Sequence, residues 1–207
     1  MNRQSLPWAN WIVVDDGTVQ TECSLGQHHL SLSSGLPPAE SFARSLRAGL
    51  HELGEMPETE FVFFIEDDDW YGRNYLASLV VALMKHDLVG ESYFRYYNVS
   101  EKSYHYCGNA HHAALCATAF RAALIPDVLA LVDENDVFLD LRMWRQLKCS
   151  KHLQPTSHCV GLKAQVGRPG LAWGHKPNEL RPDREGTLLK SWLGRDAPQA
   201  LEFAIKQ

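Results

Sequence analysis

Phe61-Val62-Phe63-Phe64-Ile65 runs directly into Glu66-Asp67-Asp68-Asp69-Trp70-Tyr71, and this junction decides how the chain is read. Five consecutive large apolar residues, with Pro57 just upstream, predict a strand buried on both faces, of the kind found inside an α/β sheet. Four carboxylates follow with no basic residue among them. In an extended chain Glu66 and Asp68 point to one side and Asp67 and Asp69 to the other. Carboxylates this close repel one another unless a cation joins them. Open α/β sheets bind ligands at the carboxyl ends of their strands, so the pattern predicts a hard divalent cation there, holding a phosphorylated ligand. A solvated acidic turn or a helix N-cap is the plain alternative.

Composition narrows the classes around this junction. At 207 residues the chain suits one domain with a sizeable core. Its net charge of −5, from 20 basic and 25 acidic residues, argues against an electrostatically driven nucleic-acid binder. No apolar run of about 18 residues occurs, and Met1 to Trp8 lack the apolar core of a signal peptide, so neither a membrane span nor export is expected and the cytoplasm is the expected location. Five scattered cysteines (Cys23, Cys107, Cys116, Cys149, Cys159) fit reduced thiols better than a disulfide framework.

Upstream, Trp11-Ile12-Val13-Val14 reads as a strand ending in Asp15-Asp16-Gly17-Thr18, which puts paired acids and a turn-permitting glycine at a second strand end. Phe42, Leu46, Leu50 and Leu53 predict a helix over 39–53, with Arg44 and Arg47 off its apolar stripe and able to face one ligand. Downstream, Leu76, Leu79, Val80, Leu83 and Met84 trace an amphipathic helix, and 87–90 opens another short strand. Strand, helix, strand predicts a largely parallel sheet flanked by helices. The tyrosines at 93, 96, 97, 104 and 106 read as a small antiparallel unit, with exposed rings available to stack on a sugar. The stretch 113–124 reads as a helix. Cys107, His111, His112 and Cys116 do not have a usual structural zinc spacing. Asp133 or Asn135 caps a predicted helix with Val137, Leu141 and Trp144 on its core face. Asp136 and Asp140 then fall four apart on one helix face, where like charges repel, and Met143 is no cation to relieve them. Four glycines between Gly161 and Gly174 make a loop region in which His175 can approach a ligand closely.

Taken together, Ile12 to Thr18, Phe64 to Tyr71 with Tyr75-Leu76, and Glu134-Asn135-Asp136 through Arg142 resemble the family 2 type of GT-A fold glycosyltransferases, across about residues 11–175. The resemblance implies an α/β fold, a Rossmann-like, mostly parallel sheet flanked by helices. The nucleotide-sugar half would lie at about 1–90, the acceptor half at 91–176 and a C-terminal tail at 177–207. It carries the contact with the nucleotide onto Asp15 and Asp16, and with it Arg44 of Ala43-Arg44-Ser45 and Asp67. Glu66, Asp68 and Asp69 take the place of the acidic element that holds Mn²⁺ or Mg²⁺ on the diphosphate, and His175 that of a late metal ligand. Asp136 takes the place of the general base of inverting members, with Asn135 where the family has Glu. The implied partners are a nucleotide-diphospho-sugar donor and a glycan, lipid or protein acceptor. Only ten residues precede Trp11, so the family's first strand and nucleotide-gripping loop are expected to be missing, leaving an N-terminally truncated fold.

Other acidic chemistries fit less well. A dehalogenase-type phosphatase needs an aspartate where Val14 stands, and an ATPase needs a Gly-x4-Gly-Lys-Ser/Thr loop that the chain lacks. Metal-dependent nucleotidyl transfer shares the acidic sheet edge but needs a basic, glycine-rich loop near the amino terminus. A GT-A domain that binds without turnover is the non-enzymatic alternative.

Overall fold

Strand β3 (Phe61–Phe63) and strand β4 (Trp70–Tyr71) bracket the acidic stretch, and they belong to different sheets. The structure, a computed structural model, describes residues 3–17, 28–32, 35–163 and 180–205. Ahead of the junction, β1 (Ile12–Asp15) and β2 (His28–Ser31) pair in parallel as a two-stranded sheet, and α1 (Pro38–Gly54) packs against β1. The predicted apolar stripe of α1 faces inward, with Leu50 buried and Phe42, Leu46 and Leu53 packed on the core.

After the junction come α2 (Tyr75–Leu83), β5 (Leu88–Glu91), β6 (Tyr93–Asn98), β7 (Ser103–Gly108) and β8 (Thr118–Arg121). The tyrosine-rich segment is the expected antiparallel unit, with Tyr97 opposite Tyr104 and Arg95 opposite Tyr106. The stretch 113–124 is not the expected helix. A 3-10 turn at Leu115–Ala117 leads into β8, which lies antiparallel between β3 and β5. Thr118, Ala119 and Phe120 are completely buried there, and pairing on both edges outweighs the helical preference of an alanine-rich segment.

The four-stranded sheet runs β3-β8-β5-β9, with β9 (Lys151–Gln154) parallel to β5. Three strands therefore share one direction and β8 opposes them. The five-stranded sheet runs β11-β7-β6-β10-β4, from β11 (Arg181–Pro182) through β10 (Cys159–Lys163), and only β6 and β10 pair in parallel. The fold is α/β with mixed sheets, not the mostly parallel sheet that strand-helix-strand order suggested; inserted β8, the tyrosine hairpin and the short edge strands β4 and β11 supply the antiparallel pairs.

Helix α3 (Ile125–Ala130) precedes a turn region and α4 (Leu139–Gln146). The expected helix start at Asp133 or Asn135 is corrected: Asp133 accepts the Asn135 N–H and Asp136 accepts the Phe138 N–H, two side-chain turns that postpone the helix to Leu139. Asp136 and Asp140 are thus not neighbours on one helix face. Leu139, Met143 and Trp144 bury the inner face of α4, and Trp144 Nε1 donates to Thr118 Oγ1 on β8 at 3.1 Å. Gly90 is required beneath that contact, because a Cβ there would lie 2.4 Å from Ala113 Cβ and 2.8 Å from Trp144 Cζ2. Helices α5 (Thr187–Leu193) and α6 (Ala197–Ile205) cover the other sheet, with Leu189 and Leu193 packed around Tyr97, Val160 and Leu162. No helix among the described residues is long and apolar enough to cross a membrane.

Candidate functional site

The apolar run leaves its sheet early. Phe64 and Ile65 still pack on the core but lie beyond the ladder, and the Asp69 N–H closes a turn on the Glu66 carbonyl at 3.3 Å. The acids therefore sit on a turn crossing from one sheet to the other, so the strand alternation expected for 66–69 does not apply. The Glu66 N–H donates to Tyr71 Oη at 2.7 Å, which pins the turn to β4, and β4 in turn pairs with β10. Glu66, Asp68 and Asp69 each present an oxygen within 4.8 Å of the others, while Asp67 faces outward.

Sequence reading missed Lys163. At the end of β10 its Nζ lies 3.3 Å from Asp69, 3.8 Å from Asp68 and 3.9 Å from Glu66. Burial alone would lower its pKa, yet Asp69, Glu66 and Asp68 hold it above the ordinary lysine value. Among the described residues one ammonium stands against three carboxylates. Asp69 Oδ1 accepts from Leu162 N at 3.1 Å and from Lys163, whereas among the described residues buried Asp69 Oδ2 meets no donor stronger than the Cys116 thiol. Three hard oxygen ligands with a weakly satisfied buried oxygen fit Mg²⁺ or Mn²⁺.

Burial pushes the Asp69 carboxyl up to about 6, with Lys163 and the Cys116 thiol restraining the rise. Burial and then Asp69 push Glu66 up to about 8, although its side chain is 38 % exposed and solvent screening reduces what that rise contributes to stability. Both pKa values stand above those of the unfolded chain, so native protein retains protons the unfolded chain has released, and stability falls as pH rises from about 4 through 6 and, for Glu66, toward 8. The Asp69 shift corresponds to on the order of 3 kcal/mol. In EDTA, the urea-unfolding free energy of the native sequence minus that of Asp69→Asn is expected to fall by roughly 2–3 kcal/mol between pH 4 and pH 7. A difference that rises with pH refutes this account.

Lys163 competes with any added cation. At about 4 Å and an effective dielectric of about 20, each contact amounts to roughly 4 kcal/mol before desolvation. Lys163→Gln is expected to tighten Mn²⁺ binding at least about tenfold at pH 8, read by calorimetry. Unchanged affinity means that the cation binds elsewhere.

On α4 the residue that acts electrostatically on the cluster is Asp140, not the residue singled out in the sequence. Asp140 is one of the charges that raise Glu66, and burial raises its own pKa. Asp136 is ion-paired with Arg142, which also donates to the Leu131 carbonyl at 2.7 Å. Asp15 accepts the Gly17 N–H at 2.9 Å and stands 3.8 Å from His29 Nε2, while Asp16 accepts the Ser41 hydroxyl on α1. Arg44 sits on α1 with a buried Nε. Arg47 pairs with Glu134 and donates to the Val132 carbonyl at 2.9 Å, lining with Arg142 an open cleft of about 420 Å³. His175 lies outside the described residues.

The cysteine-histidine set around residue 110 disperses. Cys107 Sγ contacts Asn109 Oδ1 at 3.4 Å, His112 senses Asp140, and Cys116 lies buried beside Cys159 and Asp69. In comparisons with known proteins, no protein-family model and no curated sequence matches this chain.

Proposed function

We propose that the chain is a metal-dependent glycosyltransferase of the GT-A, family 2-like kind, moving a sugar from a nucleotide-diphospho-sugar to an acceptor hydroxyl with inversion. The supporting observation is the convergence of Glu66, Asp68 and Asp69 on a turn between two sheets, with a buried Asp69 oxygen that meets no donor stronger than a thiol among the described residues. These residues would hold Mn²⁺ or Mg²⁺, which supplies positive charge to the departing diphosphate. Lys163 keeps the three carboxylates together in the metal-free chain and adds a cation at the same place. Asp15, Asp16, Arg44 and Asp67 contact the nucleotide, and His175 supplies a late metal ligand, as the resemblance implies.

The acceptor hydroxyl must lose its proton as it attacks the anomeric carbon, and a carboxylate near α4 takes it. Asp136 is the residue the resemblance assigns. Asp140 is favoured by a separate observation: it acts electrostatically on Glu66, and burial raises its pKa toward the range in which a base works best. The acceptor remains a glycan, lipid or protein hydroxyl. Binding without turnover and nucleotidyl transfer are the competing chemistries.

Calorimetric titration with UDP and with GDP in Mn²⁺ tests the reading. Micromolar binding of either that disappears in EDTA, together with nucleotide release from the matching sugar donor, is expected. Metal-dependent binding without release supports a domain that binds without turnover, and no binding of either nucleotide refutes the nucleotide-sugar reading.

A further inference from the structure

We infer that the chain carries a second metal site, for a thiophilic divalent cation such as Zn²⁺, formed by Cys116, Cys159 and Asp69. The two sulfurs and an Asp69 oxygen all lie within 4.8 Å of one another. Cys116 is 3 % exposed and Cys159 fully buried, and they come from separate segments: Cys116 from the 3-10 turn before β8, Cys159 from the start of β10. Each is fixed by its backbone. The Cys116 carbonyl accepts the buried Tyr75 hydroxyl at 2.7 Å, and Cys159 is paired in register with Tyr71 of β4.

A second sign of a ligand, shared with the oxygen-only set, is Asp69. Its side chain is 1 % exposed, and among the described residues Oδ2 meets no donor stronger than the Cys116 thiol, a weak one. A buried carboxylate oxygen in that position is costly unless something positive meets it. Two thiolates and one carboxylate are a donor set suited to zinc, with the fourth tetrahedral position open.

Loading balances in charge. Two thiols lose their protons to solvent as two metal-sulfur bonds form, giving three negative ligands against a divalent ion, and Lys163, 3.3 Å from Asp69, brings the group to neutrality. Because Asp69 also belongs to the oxygen-only set with Glu66 and Asp68, a thiophilic ion draws on a ligand that Mn²⁺ uses. Zinc is therefore expected to weaken Mn²⁺ binding, which makes this site a regulator of the first.

The test is Co²⁺ titration of the full-length, reduced chain, with Zn²⁺ as competitor. A near-ultraviolet thiolate-to-cobalt charge-transfer band is expected, saturating at one ion per chain, bleached by Zn²⁺, and lost in Cys116→Ser and in Cys159→Ser. It persists in Cys149→Ser and in Asp68→Asn, so loss of the oxygen-only site does not mimic loss of this one. Should either serine variant misfold by circular dichroism, Zn²⁺ protection of Cys116 and Cys159 from alkylation in the native sequence, read by peptide mass, replaces it. Absence of the band in fully reduced protein overturns the inference. So does a band that survives both serine variants, or a Cys116–Cys159 disulfide in the protein as isolated.

Discussion

Asp68→Asn is expected to weaken Mn²⁺ binding, and with it Mn²⁺-dependent nucleotide binding, about 100-fold or more while leaving Tm unchanged or raised. Asp68 supplies one of three carboxylates gathered on the turn, and it also raises the pKa of both Glu66 and Asp69. With all three carboxylates ionised and Lys163 beside them, the described charges of the native cluster sum to −2 before an incoming cation. Asparagine leaves −1 and a weaker oxygen ligand. At an effective dielectric of about 20, halving that attraction corresponds to several kcal/mol, of which about 2.7 kcal/mol already gives 100-fold. The same change relieves like-charge repulsion from Glu66 and Asp69 in the metal-free protein, which offsets the loss of the 3.8 Å contact with Lys163. That opposition is diagnostic: a carboxylate kept for structure alone lowers Tm when neutralised. Calorimetric titration with Mn²⁺ alone and then with UDP or GDP, alongside thermal unfolding in EDTA, reads both quantities. Mn²⁺ affinity within about threefold of the native chain sinks the metal assignment.

What the sequence discloses and what it hides follow from the range of the interactions involved. The run at 61–65 is legible in part: it forms a strand, but an edge strand of three residues in which Val62 is buried and its apolar neighbours are half-buried, not a strand buried on both faces, whereas α1, α2, β5 and the tyrosine hairpin are readable from consecutive residues. Strand β8 is not legible. Six alanines lie among residues 113–124, and local propensity points to helix, whereas the deciding term is burial between β3 and β5, both distant in sequence. The turn at 66–69 escapes for a related reason, since alternation presumes that the strand continues, and it stops at Phe63.

The candidate site divides along the same line. Its acids are contiguous and were readable; their cation is not, because Lys163 reaches them only through the pairing of β10 with β4 and β6. The one local hint is the run Cys159-Val160-Gly161-Leu162-Lys163, an apolar strand ending in a lysine as the acidic run ends an apolar strand. Gly161 belongs to that design, since a Cβ there would stand 2.8 Å from Tyr96 Cδ1 and 2.9 Å from Phe94 Cε1. Cys116 and Cys159 meet by the same long-range packing, so a search for short cysteine-histidine spacings could only find the wrong set. The choice between Asp136 and Asp140 turned on whether the helix began at Asp133 or at Leu139, and helix ends are the least legible feature of any chain.

That choice leads to the second large effect. Asp140→Asn is expected to lower kcat by about 10²–10⁴ while leaving Mn²⁺ and nucleotide binding within about threefold, the pattern of a lost general base. Asp136→Asn is expected to cost less than about tenfold in kcat and to lower Tm by a few degrees, because it removes the charge paired with Arg142 while the asparagine oxygen still accepts the Phe138 N–H. Asp136 is occupied by its ion pair with Arg142, whereas burial raises the pKa of Asp140, whose charge also acts on Glu66. Below its raised pKa Asp140 carries a proton and cannot act, so the acidic limb of the kcat profile should disappear in Asp140→Asn, leaving a low, pH-independent residual rate, and survive in Asp136→Asn. If Asp136→Asn instead removes transfer while Asp140→Asn retains it, the sugar-transfer assignment stands with Asp136 as its base. If both variants keep full kcat, neither carboxylate takes the proton, and inversion by a base near α4 is excluded.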